Sequence, residues 1–243
     1  MKNLEMNLMS KSSVRFTGLL YLLVIICAGF SQGYVRGNLY IPGDTMATAT
    51  NILENEGLFR LGLASDLLAF ILDAVISILF YQMLKPFGKT LALVSSGLRL
   101  IAHPAIGALN LLNHYMAYHV LGGGDFLAGF DAAQIESMSL LFMDAHRYGY
   151  LIAGGFFGVH CALLGVLLVR SDMIPKFFGW FMVVASVGYL METFGDFLYP
   201  GNEEILAWIV GLSAALGEVG LTFYLLIIGV KKSYVEKLKT QEI

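Results

Sequence analysis

The chain has 243 residues, of which 57% are hydrophobic and 14% are charged. Soluble domains contain about 45–50% apolar and 25% charged residues, so this composition excludes an ordinary water-soluble globule. The formal net charge is −3, and no clustered basic patch occurs, which excludes a nucleic-acid surface. The two cysteines, Cys27 and Cys161, lie inside apolar runs and provide neither a disulfide framework nor a cysteine metal motif.

Six apolar segments are long enough to cross a bilayer, which takes about 20 residues per helix. Backbone amides in lipid must be paired within the segment, and no period-two alternation is present, so we expect helices and not a barrel. The prediction is an all-α polytopic membrane protein in which residues 1–243 form a single six-helix bundle. The spans are expected at 16–34, 61–84, 91–117, 148–169, 177–199 and 205–230, with a polar cytoplasmic tail at 231–243.

The first segment has basic residues ahead of it, as a secretory signal does, but its length and the five further spans favour an uncleaved helix. The loop charges predict the orientation. If the N-terminus is cytoplasmic, the inner side carries Lys2, Lys11, Arg15, Lys85, Lys89, Arg170, Lys176, Lys231, Lys232, Lys237 and Lys239. The outer side or its rim then carries only Arg36, Arg60 and Arg147. We therefore expect a plasma-membrane protein with both termini in the cytoplasm.

Two outer connections are long enough to hold short interfacial helices. Asp44 is placed to cap a helix over 45–55, with Gly57 as its stop. After a flexible glycine run at 122–124, Asp131 caps a helical pattern that continues to Val169. That pattern would be about 57 Å long at 1.5 Å per residue, so it must project from the bilayer or bend. Ordinary amphipathic loops at the headgroup level are the alternative.

Six ionisable residues fall inside the predicted spans, where a charge costs at least roughly 2.5–3.5 kcal/mol. They are Asp66, Asp73, Arg99, Glu192, Asp196 and Glu218. Helical spacing places them on polar stripes of several helices, which predicts a shared polar core. Arg99 can neutralise only one of these acids, and Asp73 and Glu218 lie at a similar depth.

The surplus of acids favours a polar cavity that opens outward and binds or transports a small cation or a proton-linked solute. Asp73 and Glu218 would then carry charge, Arg99 would be the fixed counter-ion, and the outer acids would form the entrance. The alternative is a membrane scaffold or sensor, in which Arg99 and one acid form a buried structural pair. No phosphate-binding loop, dinucleotide fingerprint or nucleophile elbow is present, so the sequence favours a protein that is not an enzyme.

Four histidines offer a further alternative, a metal- or haem-binding redox protein. His103 and His160 lie at a similar mid-depth on two predicted neighbouring helices, and His114 and His146 lie nearer the outer end. Two such levels are typical of b-type cytochromes, in which one histidine from each of two facing helices binds the haem. A non-haem metal could instead take His114, His146 and Asp144. Ordinary hydrogen bonding in the core remains the simplest interpretation, and the cofactor stays open.

Four local runs are distinctive: IPGD at 41–44, EGLFRLG at 56–62, NLL at 110–112 and HRYGYLIAGGFFGVHC at 146–161. They resemble a bacterial family of multi-pass membrane proteins that is known only as a domain of unknown function. The likeness extends over most of the chain, from the first span to the fifth. It implies six helices and a bacterial membrane location, and it implies no activity.

Overall fold

The structure, a computed structural model, describes residues 10–240, which are mostly helical and contain no strand. Six of the helices are long and apolar enough to cross a membrane: α1 (Lys11–Leu39), α3 (Glu56–Phe87), α4 (Lys89–Leu121), α5 (Ala132–Ser171), α6 (Lys176–Leu198) and α7 (Glu203–Ile227). Two shorter helices are α2 (Thr45–Glu54) and α8 (Lys232–Thr240). The predicted all-α class and the six spans are confirmed. Lys2 lies outside the described residues.

The connections between the helices gather at two ends of the bundle. The cap end contains residues 40–55, 122–131 and 199–202, and hydrogen bonds such as Tyr40 to Asp144 and Tyr118 to Glu56 join its parts. The turn end contains residues 85–88, 172–175 and 228–231, where the Lys231 amide donates to the Met173 carbonyl.

Two of the helices that begin at the cap end, α2 and α5, start at the predicted capping residues. Asp44 accepts a hydrogen bond from the Ala47 amide at 2.9 Å and starts α2. Asp131 and Gln134 form a capping box at the start of α5, whose 40 residues make it the longest helix described. The predicted stop at Gly57 is wrong, because the break occurs at Asn55 (φ −125°, ψ 38°) and Gly57 already lies inside α3.

Small residues let the spanning helices approach closely. Helix α5 packs against both α4 and α6, and α1 packs against α3 and α7. A Cβ atom on Gly165 of α5 would lie 2.5 Å from the Gly179 carbonyl oxygen of α6, and one on Gly18 of α1 would lie 2.4 Å from the Leu226 amide nitrogen of α7. Close packing through small residues is the usual basis of association between helices in lipid.

Three of the spanning helices contain a π-helical segment. These segments are Gly29–Arg36 in α1, Ile101–Gly107 in α4 and Ala215–Val219 in α7. The second includes Pro104, which has no amide hydrogen to donate to the helix. π-helical turns occur frequently at functional sites. Each segment here carries one ionisable side chain of the polar interior, namely Arg36, His103 or Glu218.

Candidate functional site

The structure sorts the predicted site residues into three groups. The mid-bundle cluster contains Asp73, Arg99, His103, His160 and Glu218. The cap-side cluster contains Asp66, His114 and His146. Glu192 and Asp196 belong to a third group between α5 and α6.

A buried ion pair lies at the centre of the mid-bundle cluster. The side chains of Arg99 and Asp73 are 1% and 0% exposed. The Arg99 Nε atom donates to Asp73 Oδ1 at 2.9 Å, and Nη2 donates to the same oxygen. His103 Nδ1 lies 2.9 Å from the other oxygen, Asp73 Oδ2. Arg99 therefore pairs with Asp73, one of the two acids expected from the sequence.

Tyrosine hydroxyls connect Glu218 to this pair. Glu218 accepts hydrogen bonds from Tyr21 at 2.7 Å and from Tyr189 at 2.5 Å. The Tyr21 hydroxyl in turn accepts from Arg99 Nη1 at 3.3 Å. Tyr21 could not be found from the sequence, because a single tyrosine in an apolar span carries no periodic signal, whereas helical spacing places Tyr189 on the same face as Glu192 and Asp196. With His160, this cluster includes side chains from all six spanning helices.

The mid-bundle histidines do not form an axial haem pair. His160 Nε2 lies 3.2 Å from Arg99 Nη1, and its Nδ1 lies 2.8 Å from the Ser95 carbonyl oxygen. The Phe157 ring contacts the imidazoles of both His103 and His160, with ring centroids 4.5 and 5.4 Å apart. The chain's own contacts thus engage both nitrogens of His160 and the Nδ1 atom of His103. This arrangement argues against the cytochrome interpretation.

Within residues 10–240, the central charges do not open to the outside as expected. Asp66, Asp73 and Arg99 have 0% exposure at the surface of the bundle. One surface cavity, of about 360 Å³, lies at the start of α5 beside Asp131 and Gln134. Another, of about 330 Å³, is lined mainly by apolar side chains of α6. The helices pack too tightly around the polar core for it to be a vestibule in this conformation.

The cap-side cluster brings together three side chains from three helices. Asp66 of α3 and His114 of α4 are 0% exposed, and His146 of α5 is 1% exposed. One possible ligand atom from each residue lies within 4.8 Å of those from the other two. The His114 and His146 rings meet edge to face with their centroids 5.1 Å apart.

Polar atoms in this cluster are buried and unpaired. Asp66 Oδ1, His114 Nε2 and His146 Nε2 have no hydrogen-bond partner, and neither does the hydroxyl of Tyr150. Buried polar atoms in proteins are nearly always hydrogen-bonded. Because several such atoms occur in one cluster here, the geometry indicates a place where a ligand can bind.

Contacts between α4 and α5 orient His146. Its Nδ1 atom lies 3.0 Å from the Asn110 carbonyl oxygen, and Asn110 Nδ2 donates to the His146 carbonyl oxygen at 2.7 Å. With the hydrogen assigned to Nδ1, the lone pair of Nε2 points to the cluster. Glycine is required at position 149, since a Cβ atom there would lie 2.2 Å from Asn110 Oδ1.

Arg36 is the member of this cluster that sequence reasoning missed. The sequence places it at the outer rim, but its side chain is buried and its Nη1 donates to Asp66 Oδ2 at 2.5 Å and to Ser31 Oγ at 2.9 Å. Its Nη2 donates to Gln32 Oε1 at 2.7 Å. Ser31 and Arg36 are five residues apart, a spacing that shares a face in a π-helix but not in an α-helix.

Tyr150 completes the cap-side cluster. Its ring lies 5.1 Å from the Arg36 Cζ atom, and its centroid lies 5.1 Å from that of the His146 ring. Tyr150 follows His146 by four residues in α5, so both project from the same helical face. That spacing is a signal that could have identified it from the sequence.

Two acids at the cap end serve other partners. Asp144, the expected metal ligand, instead accepts a hydrogen bond from the Tyr40 hydroxyl at 2.5 Å. Burial, together with this carboxylate, raises the pKa of Tyr40 well above its usual value. Asp196 accepts a hydrogen bond from Arg147, and Glu192 lies near that pair. In the expected set of two histidines and an aspartate, Asp66 takes the place of Asp144.

Comparisons with known proteins support the same overall assignment. An uncharacterized protein of Archaeoglobus fulgidus is 27% identical over 169 residues, which cover 69% of this chain and 83% of that protein. No solved structure matches the chain. The family described as "Domain of unknown function (DUF4386)" matches residues 16–229, nearly the whole bundle. The chain therefore belongs to the DUF4386 family.

Proposed function

We propose that this integral membrane protein binds one divalent first-row transition-metal ion between Asp66, His114 and His146. One observation carries the proposal: Asp66, His114 and His146 each offer a possible ligand atom within 4.8 Å of the other two, in a buried cluster where Asp66 Oδ1, His114 Nε2 and His146 Nε2 have no hydrogen-bond partner. Two imidazoles and one carboxylate form a mixed nitrogen and oxygen donor set, which suits Zn²⁺ and Fe²⁺. The volume between the side chains suits a single ion and not a porphyrin, because Arg36 and Tyr150 pack around the same imidazoles.

The observed distances are close to those of a formed site. Metal–ligand bonds of about 2.0–2.2 Å place tetrahedral ligand atoms about 3.4 Å apart, so the three side chains would close by at most about 1.4 Å. Small rotations of the side chains can supply this movement. The bond between His146 Nδ1 and the Asn110 carbonyl is the outer contact that metal-binding histidines usually make.

The charges elsewhere in the bundle favour a resident ion over a transported one. Asp66 and Asp73 are separated by seven residues of α3, or about 10 Å. A cation that moved from the cap-side cluster toward the turn end would approach Arg99, which is buried and bound to Asp73. The basic residues near the turn end support a cytoplasmic location for that end, with the metal site in the half of the bundle that faces outward.

The direct test is metal analysis of the purified protein. We expect about one metal ion per chain by inductively coupled plasma mass spectrometry, and saturable Co²⁺ binding after chelation and reloading. Asp66→Asn, His114→Gln and His146→Gln should each weaken Co²⁺ binding at least about 100-fold, because each removes one of only three protein ligands.

A histidine on the same helix as His114 supplies the matched control. His119 stacks on Tyr115 and Phe126 away from the cluster, so His119→Gln should leave Co²⁺ affinity unchanged. Metal that persists in all three ligand variants would refute the proposal. So would metal that is lost only in His103→Gln and His160→Gln.

A substitution outside the ligand set tests how His146 is positioned. Gly149→Ala should push the Asn110 side chain aside, because the new Cβ would lie 2.2 Å from its Oδ1 atom. We expect Co²⁺ affinity to fall about tenfold or more, as it does when outer contacts of a metal ligand are lost. Gly129→Ala, where a Cβ meets no atom within 4 Å, is the control. Equal affinities in the two variants would show that the Asn110 contact does not position His146.

A further inference from the structure

The charge of the cap-side cluster limits what can accompany a metal ion there. Asp66 and Arg36 form a buried pair of opposite charge, with side chains 0% and 8% exposed. Histidine ligands bind metals in their neutral form. A divalent ion would therefore add two positive charges to a cluster that is otherwise neutral. Burying unpaired charge is costly, so an additional anion would stabilise the occupied site.

Three other acids at the cap end are hydrogen-bonded to side chains outside the cluster. Asp144 accepts from Tyr40, Asp196 accepts from Arg147, and Glu56 accepts from Tyr118. An anion bound from outside the chain could supply the compensating charge.

The cluster has donors in place for such an anion. Arg36 has five N–H groups. Its Nη1 atom contacts Asp66, Ser31 and His114, and its Nη2 atom makes one bond, to Gln32. Beyond these contacts, Arg36 has its Nε–H and a second Nη2–H with which to bind an anion. The Tyr150 hydroxyl is buried within reach of both Asp66 and Arg36, and no hydrogen bond of normal geometry joins it to either.

We infer that the metal centre binds an exogenous oxyanion, a carboxylate or phosphate group, with Arg36 and Tyr150 as its protein donors. This inference rests on the proposed metal site, because the anion would occupy the coordination position that three protein ligands leave open. Arginine is well suited to bind carboxylate and phosphate groups. Gln32, which holds the outer amino group of Arg36, is exposed, so Arg36 separates the centre from the protein surface.

The test uses the full-length protein loaded with Co²⁺ in detergent. The visible absorption of Co²⁺ reports its ligands, and we expect saturable spectral changes on titration with azide, acetate and phosphate. Arg36→Gln, Arg36→Lys and Tyr150→Phe should weaken the binding of these anions about tenfold or more, since hydrogen bonds to charged groups are strong. Co²⁺ itself should still bind to all three variants.

Neighbouring residues provide controls for both donors. Arg60 pairs with Glu56 at the surface. Tyr148, two residues before Tyr150 in the chain, stacks on Phe197. Arg60→Gln and Tyr148→Phe should bind anions like the parent protein. A second experiment compares the protein in detergent with the protein in nanodiscs of phosphatidylglycerol. A Co²⁺ spectrum that changes only in nanodiscs identifies a lipid phosphate as the anion. A spectrum that responds to added phosphate in detergent identifies a free phosphate.

The two proposals fail in different ways. If Co²⁺ does not bind to the parent protein, the metal site itself is wrong. If Co²⁺ binds but neither added anions nor lipid change its spectrum, the metal site stands and the oxyanion inference is overturned. Anion binding that is equally strong in Arg36→Gln and Tyr150→Phe would also overturn it.

Discussion

Arg99→Met should destabilise the protein by about 3–5 kcal/mol, the largest effect that we expect from a single substitution. The variant leaves Asp73 buried without its cationic partner, because the side chains of both residues are at most 1% exposed. It also removes Arg99 Nη1, which donates a hydrogen bond to the Tyr21 hydroxyl. Tyr21 in turn donates to Glu218, so the link between the guanidinium and Glu218 is lost. Chemical or thermal unfolding in detergent, followed by circular dichroism, measures the change.

Two further variants separate the buried ion pair from a general effect of losing an arginine. Arg99→Met combined with Asp73→Leu should be less destabilised than Arg99→Met alone, because no unpaired carboxylate remains at Asp73. Arg60→Met, at a surface pair whose side chains are 62% and 45% exposed, should leave the stability nearly unchanged. If Arg99→Met costs as little as Arg60→Met, the mid-bundle cluster does not hold the six helices together.

The second large effect is expected where α5 and α6 cross. In Gly165→Ala the new Cβ would lie 2.5 Å from the Gly179 carbonyl oxygen and 2.8 Å from Val183 Cγ2. Backbone atoms cannot rotate away, so the two helices must separate. Overpacking of this kind costs typically about 1–3 kcal/mol and occasionally more. The same unfolding measurement applies.

Gly97 in α4 is the matched position for this prediction. A Cβ atom there meets nothing within 4 Å, so Gly97→Ala should be neutral or stabilise the helix by up to about 1 kcal/mol. Equal stability of Gly165→Ala and the parent protein would contradict the close crossing of α5 and α6.

Much of the cap-side cluster was within reach of sequence reasoning. His114 and His146 were both candidates for one metal site at the outer end of neighbouring helices, and the structure brings their rings together. The choice of acid was wrong. Asp144 precedes His146 by only two residues in α5, so the two side chains point to different sides of the helix. Asp66 reaches both imidazoles from α3.

Arg36 could not be found in this way, because its partners follow a different helical period. A search for polar stripes assumes contacts three or four residues apart. In the π-helical segment Gly29–Arg36, Arg36 contacts Ser31 five residues earlier and Asp66 thirty residues later. Glu218 also lies in a π-helical segment, and its partners Tyr21 and Tyr189 belong to other helices, α1 and α6. A search for spacing within one helix does not find such contacts.

The sequence by itself determined the membrane class, the six spans and the capping residues Asp44 and Asp131, because hydropathy and caps act over one helix at a time. The tertiary structure decided which ionisable groups meet. Arg99 pairs with Asp73, and the Arg36 side chain lies in the interior beside Asp66. Asp66, and not Asp144, lies close to His114 and His146. The angular position of each helix depends on packing against its neighbours, as at Gly149 and Gly165, and no single segment encodes that geometry.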